Sequence, residues 1–240
     1  MGNWNRDYLA SFDGVQSNTI FCMWAGTNPM SSQRIQALWS IYNNTRCPVV
    51  YINHQSLRDW EKPEYPYHPA FEYLSDTHKS DYIRCYLMHH YGGGWADIKH
   101  TSVDWRPNFA KLRGSNALAL GYQEIVDGIP HIKGPLGDEL RLNYKENIGL
   151  CAFIFKRYSV ITQEWAQVLN SKLDSLLDRL YQNPATAPQD QLGLKKQDGS
   201  ISTYPVEWAG ILGEIFHPIT YQHRNQIIQG ELAPLFHGYR

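Results

Sequence analysis

The residues best suited to chemistry lie within residues 78–100, in the run HKSDYIRCYLMHHYGGGWADIKH. Asp81 and Arg84 stand three positions apart in a segment with helical character, so their side chains share a helix face. Asp97 and Lys99 follow three glycines in a short predicted strand, and a spacing of two places both side chains on one strand face. Carboxylates accept hydrogen bonds from sugar hydroxyls, and cations pair with phosphate oxygens. The pattern predicts a pocket for a ligand that carries hydroxyl and phosphate groups.

The preceding segment supplies elements that would position this pocket. Apolar runs at 18–26 and 47–53 predict two buried strands. A helix is predicted between them, starting near Ser31, with apolar residues at helical spacing: Ile35, Leu38, Trp39 and Tyr42. A β-α-β order implies a parallel sheet of the nucleotide-binding type. Ligands of such sheets bind at the carboxyl ends of the strands, where Asp97 and Lys99 would lie.

The remaining elements complete an α/β prediction. Helices are expected at about 80–91, where the glycines 92–94 stop the chain, and at 159–181, where leucines recur at three- and four-residue steps. Further strands are predicted at 95–99, 116–122 and 148–155. Segments rich in proline, glycine and polar residues predict loops at 60–69 and 183–202, and loops or a hairpin at 124–145.

Composition limits the classes of protein. The chain has 240 residues, a net charge of −1, 42% hydrophobic residues and a mean hydropathy of −0.48, which suits one domain over 1–240. The balanced charge argues against a general nucleic-acid binder. We expect no transmembrane segment and no secretory signal, hence a cytoplasmic protein, with peripheral membrane association as an alternative. The four cysteines are far apart and are expected to be reduced thiols: Cys22, Cys47, Cys85 and Cys151.

The stretch SDYIRCYLMHHYGGGWADIK resembles the signature of glycosyltransferases with a DXD sugar-binding motif. These include mannosyltransferases, capsular polysaccharide synthesis proteins and the catalytic domains of the large clostridial glucosylating toxins. Their pattern is S-D-x-x-R, an amphipathic helix, Y-G-G, a short spacer that contains an apolar residue, and D-x-D. The positions that fall in register are Ser80, Asp81, Arg84, Tyr91, Gly92, Gly93 and Asp97. The run FCMWAG is similar to the family's first strand, which ends in Trp-x-Gly.

The resemblance implies a GT-A-like fold with a mostly parallel central sheet flanked by helices. Residues 18–122 would form the nucleotide-sugar-binding half, and residues 123–240 the acceptor half with the tail. Trp24 would stack on the nucleotide base, and Asp81 and Arg84 would hold the hydroxyls of the transferred sugar. Asp97 would hold ribose or sugar and help to bind Mn²⁺ or Mg²⁺. His237 in the tail is a candidate for closing over the diphosphate, and His217 is a second one.

The chain departs from the family pattern at Lys99, where the family has the second aspartate of D-x-D. Divalent cations of this kind require oxygen ligands, which an ammonium group does not offer. One hypothesis is that Lys99 replaces the metal, pairs with the diphosphate and acts with Asp97 as a catalytic group. The other is that donor catalysis has been lost and the protein is a non-catalytic binder of nucleotide sugars or glycans.

The implied reaction is retaining transfer of a sugar, most simply a hexose, from a nucleotide-sugar donor to an acceptor hydroxyl. Surface-glycan or capsule synthesis in a bacterium or a virus is the setting that the resemblance suggests. Other α/β enzymes, such as phosphoesterases, remain alternatives; a zinc hydrolase is disfavoured because the histidines form no H-E-x-x-H motif. Tyr204, Trp208 and Tyr221 could stack on sugar rings or serve in packing.

Overall fold

The computed structural model describes residue 9 and residues 11–238, and the structural statements below refer to them. Their strands are β1 (Ile20–Trp24), β2 (Val49–Asn53), β3 (Gly93–Ala96), β4 (Ala119–Gln123), β5 (Ile148–Phe155) and β6 (Ile227–Gln229). Their α-helices are α1 (Ser32–Asn44), α2 (Asp76–His90), α3 (Arg106–Arg113), α4 (Pro135–Leu142), α5 (Val160–Gln182) and α6 (Gly213–Gln222). Short 3₁₀ helices occupy Leu57–Trp60, Pro69–Tyr73, Val126–Gly128, Tyr144–Glu146 and Arg224–Gln226.

The strands form one mixed sheet in the order β2-β1-β3-β5-β4-β6. Strand β1 is parallel to β2 and β3, and β4 is parallel to β6. Strand β5 is antiparallel to both of its neighbours, because the chain reverses its direction between β4 and β5. The predicted α/β class with a central sheet flanked by helices is confirmed. The sheet itself is mixed, so its description as mostly parallel is not confirmed.

Helices cover the two faces of the sheet. Strand β1 illustrates the reason. Its side chains point alternately to the two faces of the sheet, and its apolar residues are buried on both faces, so each face needs a covering layer. Phe21 and Met23 belong to the core under α2, α5 and α6, whereas Ile20 and Cys22 belong to the core under α1 and α3. Strand β5, predicted at the observed bounds, is inserted between β3 and β4 and joins the two predicted halves of the chain in one sheet.

Helix α2 begins earlier than predicted and ends where the glycines require. Ser75 caps it, its Oγ accepting a hydrogen bond from the His78 amide at 3.4 Å. Gly92 and Gly93 follow the helix with φ angles of +64° and +96°, a backbone region that L side chains rarely adopt. A Cβ on Gly92 would lie 2.8 Å from the amide nitrogen of Arg157. This tight turn directs the chain from α2 into β3.

Helix α1 is confirmed; its large apolar residues Ile35, Trp39 and Tyr42 are exposed, while Ala37 and Ile41 are buried. Two predictions about elements require correction. The segment 124–145 contains α4 instead of a hairpin. Strand β3 ends at Ala96, so Asp97 and Lys99 lie in the loop that follows it.

None of the helices that the structure describes is both long enough and apolar enough to cross a bilayer. Helix α5 is 23 residues long, yet its exposed side carries charged residues that include Asp174, Asp178 and Arg179. Its buried residues pack in the core that also contains α2 and α6.

Candidate functional site

The candidate site lies at the edge of the sheet where β1 and β3 end and β5 begins. The strand register carries on past Ala96, because the Asp97 amide donates a hydrogen bond of 2.8 Å to the carbonyl of Cys151 on β5. Helix α2 runs beside this edge and presents Asp81 and Arg84 to it. The helix therefore delivers two charged side chains to the loop that carries Asp97 and Lys99.

Arg84 joins the predicted residues to one another. Its Nη2 lies 3.2 Å from an oxygen of Asp81 and 3.2 Å from an oxygen of Asp97. Its Nη1 donates a hydrogen bond of 2.8 Å to the carbonyl of Leu150, and its guanidinium stands 5.0 Å from the ring centre of Trp95. Arg84 is only 6% exposed, so the position of its fork is fixed by these partners.

The two carboxylate oxygens of Asp97 contact different partners. Oδ1 accepts a hydrogen bond of 2.9 Å from the indole nitrogen of Trp95 in addition to its contact with Arg84, and Oδ2 lies 3.1 Å from the ammonium of Lys99. Burial by itself raises the pKa of Asp97, but Arg84 and Lys99 outweigh it and hold that pKa well below its usual range. Asp97 is therefore ionised at neutral pH.

Asp81 differs from Asp97 although both contact Arg84. It is only 4% exposed, and this burial raises its pKa to about 7 despite the opposing effect of Arg84; the charge of Asp97 raises it further. Two carboxyls in one cluster thus have pKa values that are pushed apart, a frequent property of functional sites. We call Asp81, Arg84, Asp97 and Lys99 the Arg84 cluster.

Lys99 joins this cluster through its contact with Asp97. Its Nζ lies 2.6 Å from Sγ of Cys151 and 5.8 Å from the ring centre of Phe236 in the C-terminal segment. Burial lowers the pKa of Lys99, but Asp97 and Cys151 reverse the effect and raise it above its ordinary value, so the ammonium is charged. Burial also raises the pKa of the Cys151 thiol, to about 11.

Trp24 lies at the same edge but outside the Arg84 cluster. It ends β1, is partly exposed, and its Nε1 donates a hydrogen bond of 2.8 Å to the carbonyl of Asn28. Gly26, the glycine of the Trp-x-Gly run, has no room for a side chain, since a Cβ would lie 2.7 Å from Oδ2 of Asp76 and even closer to Asn28. The loop after β1 is thus packed against the start of α2.

The predicted tail residues are placed differently from one another. His237 is exposed, and its neighbour Phe236 is the tail residue that approaches Lys99. His217 belongs to the interior of α6, where its Nε2 lies 3.1 Å from Glu124, so its assignment to the donor site is wrong. Tyr204 and Tyr221 are buried and serve in packing, whereas Trp208 is 50% exposed.

The chemistry of the donor set does not fit Mn²⁺ or Mg²⁺. Both oxygens of Asp97 already contact cations, and a divalent ion beside Oδ2 would meet the ammonium of Lys99, which repels it. Within residues 9 and 11–238, no group of three or more His, Cys, Asp or Glu side chains is arranged to hold a metal ion. Lys99 stands where the family pattern has its second aspartate, so an ammonium lies beside Asp97 at this position.

Several residues at this edge escaped the sequence prediction. Trp95 could have been found, because it precedes Asp97 by two positions and two-residue spacing places both on one face. Cys151 reaches Lys99 only through the pairing of β3 with β5, which no local pattern indicates. Arg34 lies in the first turn of α1, and its Nη1 donates a hydrogen bond of 2.6 Å to the carbonyl of Ile98.

Comparison of the chain with protein-family models, with curated proteins and with solved structures gives no match.

Proposed function

We propose that the protein is a glycosyltransferase that binds a nucleotide sugar at the edge formed by the ends of β1 and β3. The observation that supports the proposal is the Arg84 cluster: four residues predicted from spacing and resemblance make one network of contacts at 3.1–3.2 Å. The network is accessible from outside, since the side chain of Asp97 is 22% exposed. An ion pair that serves only to stabilise the fold does not require a solvent-exposed carboxylate.

The roles follow from charge and position. Lys99 and Arg84 supply positive charge toward the diphosphate of the donor, and Asp81 and Asp97 accept hydrogen bonds from sugar or ribose hydroxyls. In the transfer, the bond between the anomeric carbon and the diphosphate oxygen breaks and a bond to the acceptor oxygen forms. The acceptor's proton leaves with the nucleoside diphosphate, and the fixed cations stabilise the charge that develops there.

A cavity of about 460 Å³ supports an acceptor site at the same edge of the sheet. It lies beyond the ends of β4 and β6, and polar side chains line it: Asp104, Asn108, Lys111, Gln123, Gln229 and Glu231. Carboxylates and amides of this kind hydrogen-bond to sugar hydroxyls. The assignment to the cytoplasm and to surface-glycan assembly belongs to the same proposal and depends on the resemblance.

A second candidate is a non-catalytic binder of nucleotide sugars or glycans. The observation that favours it is that Lys99 already contacts Asp97 at 3.1 Å and Cys151 at 2.6 Å. A diphosphate must share or replace these contacts. If the internal contacts are retained when the donor binds, the leaving group receives little stabilisation and turnover is lost.

The test is a thermal-shift and calorimetric screen of nucleotide sugars in EDTA and in Mn²⁺. We expect at least one donor to raise the melting temperature equally in both conditions, because a ligand of the native state stabilises it by mass action. Release of free sugar and nucleoside diphosphate from the bound donor separates the transferase from the binder. Binding that requires Mn²⁺ would contradict the metal-free site, and no binding by any donor would refute the proposal.

Lys99→Asp sharpens the test, since it restores the family's D-x-D spacing. We expect this variant to lose donor binding in EDTA and to regain it in Mn²⁺. Arg141→Asp on α4 is the matched control, because it makes the same charge change at an exposed position. A Lys99→Asp variant that binds donor in EDTA as well as the unmodified protein does would show that the ammonium has no part in binding.

A further inference from the structure

Arg34 brings a third cation to the candidate site. Ser31 caps α1, and its Oγ accepts a hydrogen bond of 3.2 Å from the Arg34 amide, which fixes the start of the helix beside the loop after β1. The Arg34 side chain is partly buried and extends across the ring of Trp24, with its guanidinium carbon 5.9 Å from the ring centre. Its Nη1 lies 2.6 Å from the carbonyl oxygen of Ile98.

This contact places Arg34 next to the Arg84 cluster. Ile98 is the residue between Asp97 and Lys99, and the carbonyl that holds Arg34 belongs to the peptide unit that Ile98 shares with Lys99. Ile98 is 3% exposed and lies in the same core as Leu112 of α3. This packing fixes the backbone of the loop at Ile98. Arg34 therefore binds the loop after β3 at the peptide unit that joins Ile98 to Lys99.

The cations at this edge offer hydrogen-bond donors to an anion. Arg34 and Lys99 are bound to the loop after β3, Arg34 at the Ile98 carbonyl and Lys99 at the Asp97 carboxylate. The first turn of α1 carries no acidic residue that would oppose an anion there. A guanidinium offers a planar fork of N–H donors that matches phosphate oxygens, and an ammonium adds a point charge.

We propose that Arg34 binds the diphosphate of the donor together with Lys99, so that two cations of this chain hold the group that a divalent metal holds elsewhere. The inference rests on the proposed function for its ligand, and it extends the site to a residue outside the D-x-D region. In this arrangement Trp24 lies under the guanidinium, so the base and the diphosphate of one nucleotide are bound by adjacent groups.

The experiment measures binding of inorganic pyrophosphate in EDTA by calorimetry at several salt concentrations, and then binding of the nucleotide sugar selected by the screen. Arg34→Gln is the test variant, and Arg141→Gln, on the exposed side of α4, is the control with the same charge change. We expect Arg34→Gln to weaken pyrophosphate binding about tenfold or more, the loss of a charge-assisted contact. Arg34→Lys should retain part of the affinity, and Arg141→Gln all of it.

The outcomes separate the two proposals. If pyrophosphate binds through Arg34 but no nucleotide sugar binds, the inference on Arg34 stands as an anion site and the proposed function fails. If a nucleotide sugar binds equally well to Arg34→Gln and to the unmodified protein, the inference fails and the proposed function stands. If neither probe binds the unmodified protein, both are refuted. Unchanged melting temperatures of the free variants establish that any loss is one of binding.

Discussion

Two buried groups of ionisable side chains in the described part of the chain, the Arg84 cluster and the pair formed by Glu124 and His217, differ in what surrounds them. The Arg84 cluster contains four charged residues, and its Asp97 side chain is 22% exposed at the edge of the sheet. The pair formed by Glu124 and His217 is closed, with side chains 3% and 0% exposed. Glu124 also accepts a hydrogen bond of 2.9 Å from the Ile125 amide. The first cluster is thus partly open to solvent, whereas the second is closed and ties α6 to the end of β4.

The largest expected effect comes from Arg84→Met. It leaves Asp81 and Asp97 close together without the cation between them, and removing one partner from a buried ionic group typically costs about 3–5 kcal/mol. Chemical denaturation measures the loss in the free energy of unfolding. Arg141→Met, at an exposed position, should change it by less than about 0.5 kcal/mol. A loss below about 1 kcal/mol for Arg84→Met would mean that the cluster is not a tightly coupled unit.

The second prediction uses the raised pKa of Asp81. A carboxyl whose pKa is about 7 in the folded protein and about 4 in the unfolded chain contributes stability below pH 4, and that contribution is lost as pH rises to 7. Asp81→Asn removes this dependence, because the amide resembles the protonated acid. The unfolding free energies of the two proteins, measured from pH 5 to pH 8, should therefore diverge by up to about 3 kcal/mol, with the variant relatively more stable at the higher pH. Parallel curves would contradict the assignment.

The third prediction concerns the closed pair. Glu124→Gln keeps an oxygen for the Ile125 amide but replaces the carboxyl oxygen that lies 3.1 Å from His217 Nε2, so we expect a loss of about 1–3 kcal/mol in unfolding free energy. Donor binding should stay within about twofold, a difference well under 1 kcal/mol. Donor binding that is abolished while stability is unchanged would show that this pair, too, serves a ligand.

The smallest effect is expected at Cys151, which helps to hold Lys99. Cys151→Ala removes the sulfur acceptor and should weaken donor binding by roughly threefold, the value of one modest hydrogen bond. Cys151→Ser retains an acceptor and should bind as the unmodified protein does. Calorimetry with the selected nucleotide sugar measures both, and equal affinities for the two variants would show that the contact with Lys99 has no effect on binding.

Helix α1 illustrates what a sequence pattern can and cannot predict. The spacing of Ile35, Trp39 and Tyr42 correctly predicts a helix, because three- and four-residue steps are typical of one. The spacing does not determine which face is buried, since these three side chains are exposed and the sheet packs against Ala37 and Ile41. Which face of α1 packs on the sheet depends on the space above β1 and β2. The small side chain of Ala37 allows the helix to approach these strands closely.

The sequence by itself determined part of the elements, namely α1, α2, α5 and the strands β1 to β5, and the nearest neighbours in the candidate site, whereas α3, α4, α6 and β6 were not predicted. Spacing along α2 and the loop after β3 placed Asp81 with Arg84 and Asp97 with Lys99, because local periodicity fixes which side chains share a face. Only the tertiary structure decided that Arg84 bridges both pairs, that Cys151 contacts Lys99 and that Arg34 reaches Ile98. These contacts join residues far apart in the chain. They depend on the antiparallel insertion of β5 and on the position of α1 on the sheet, which are set by packing of the whole core.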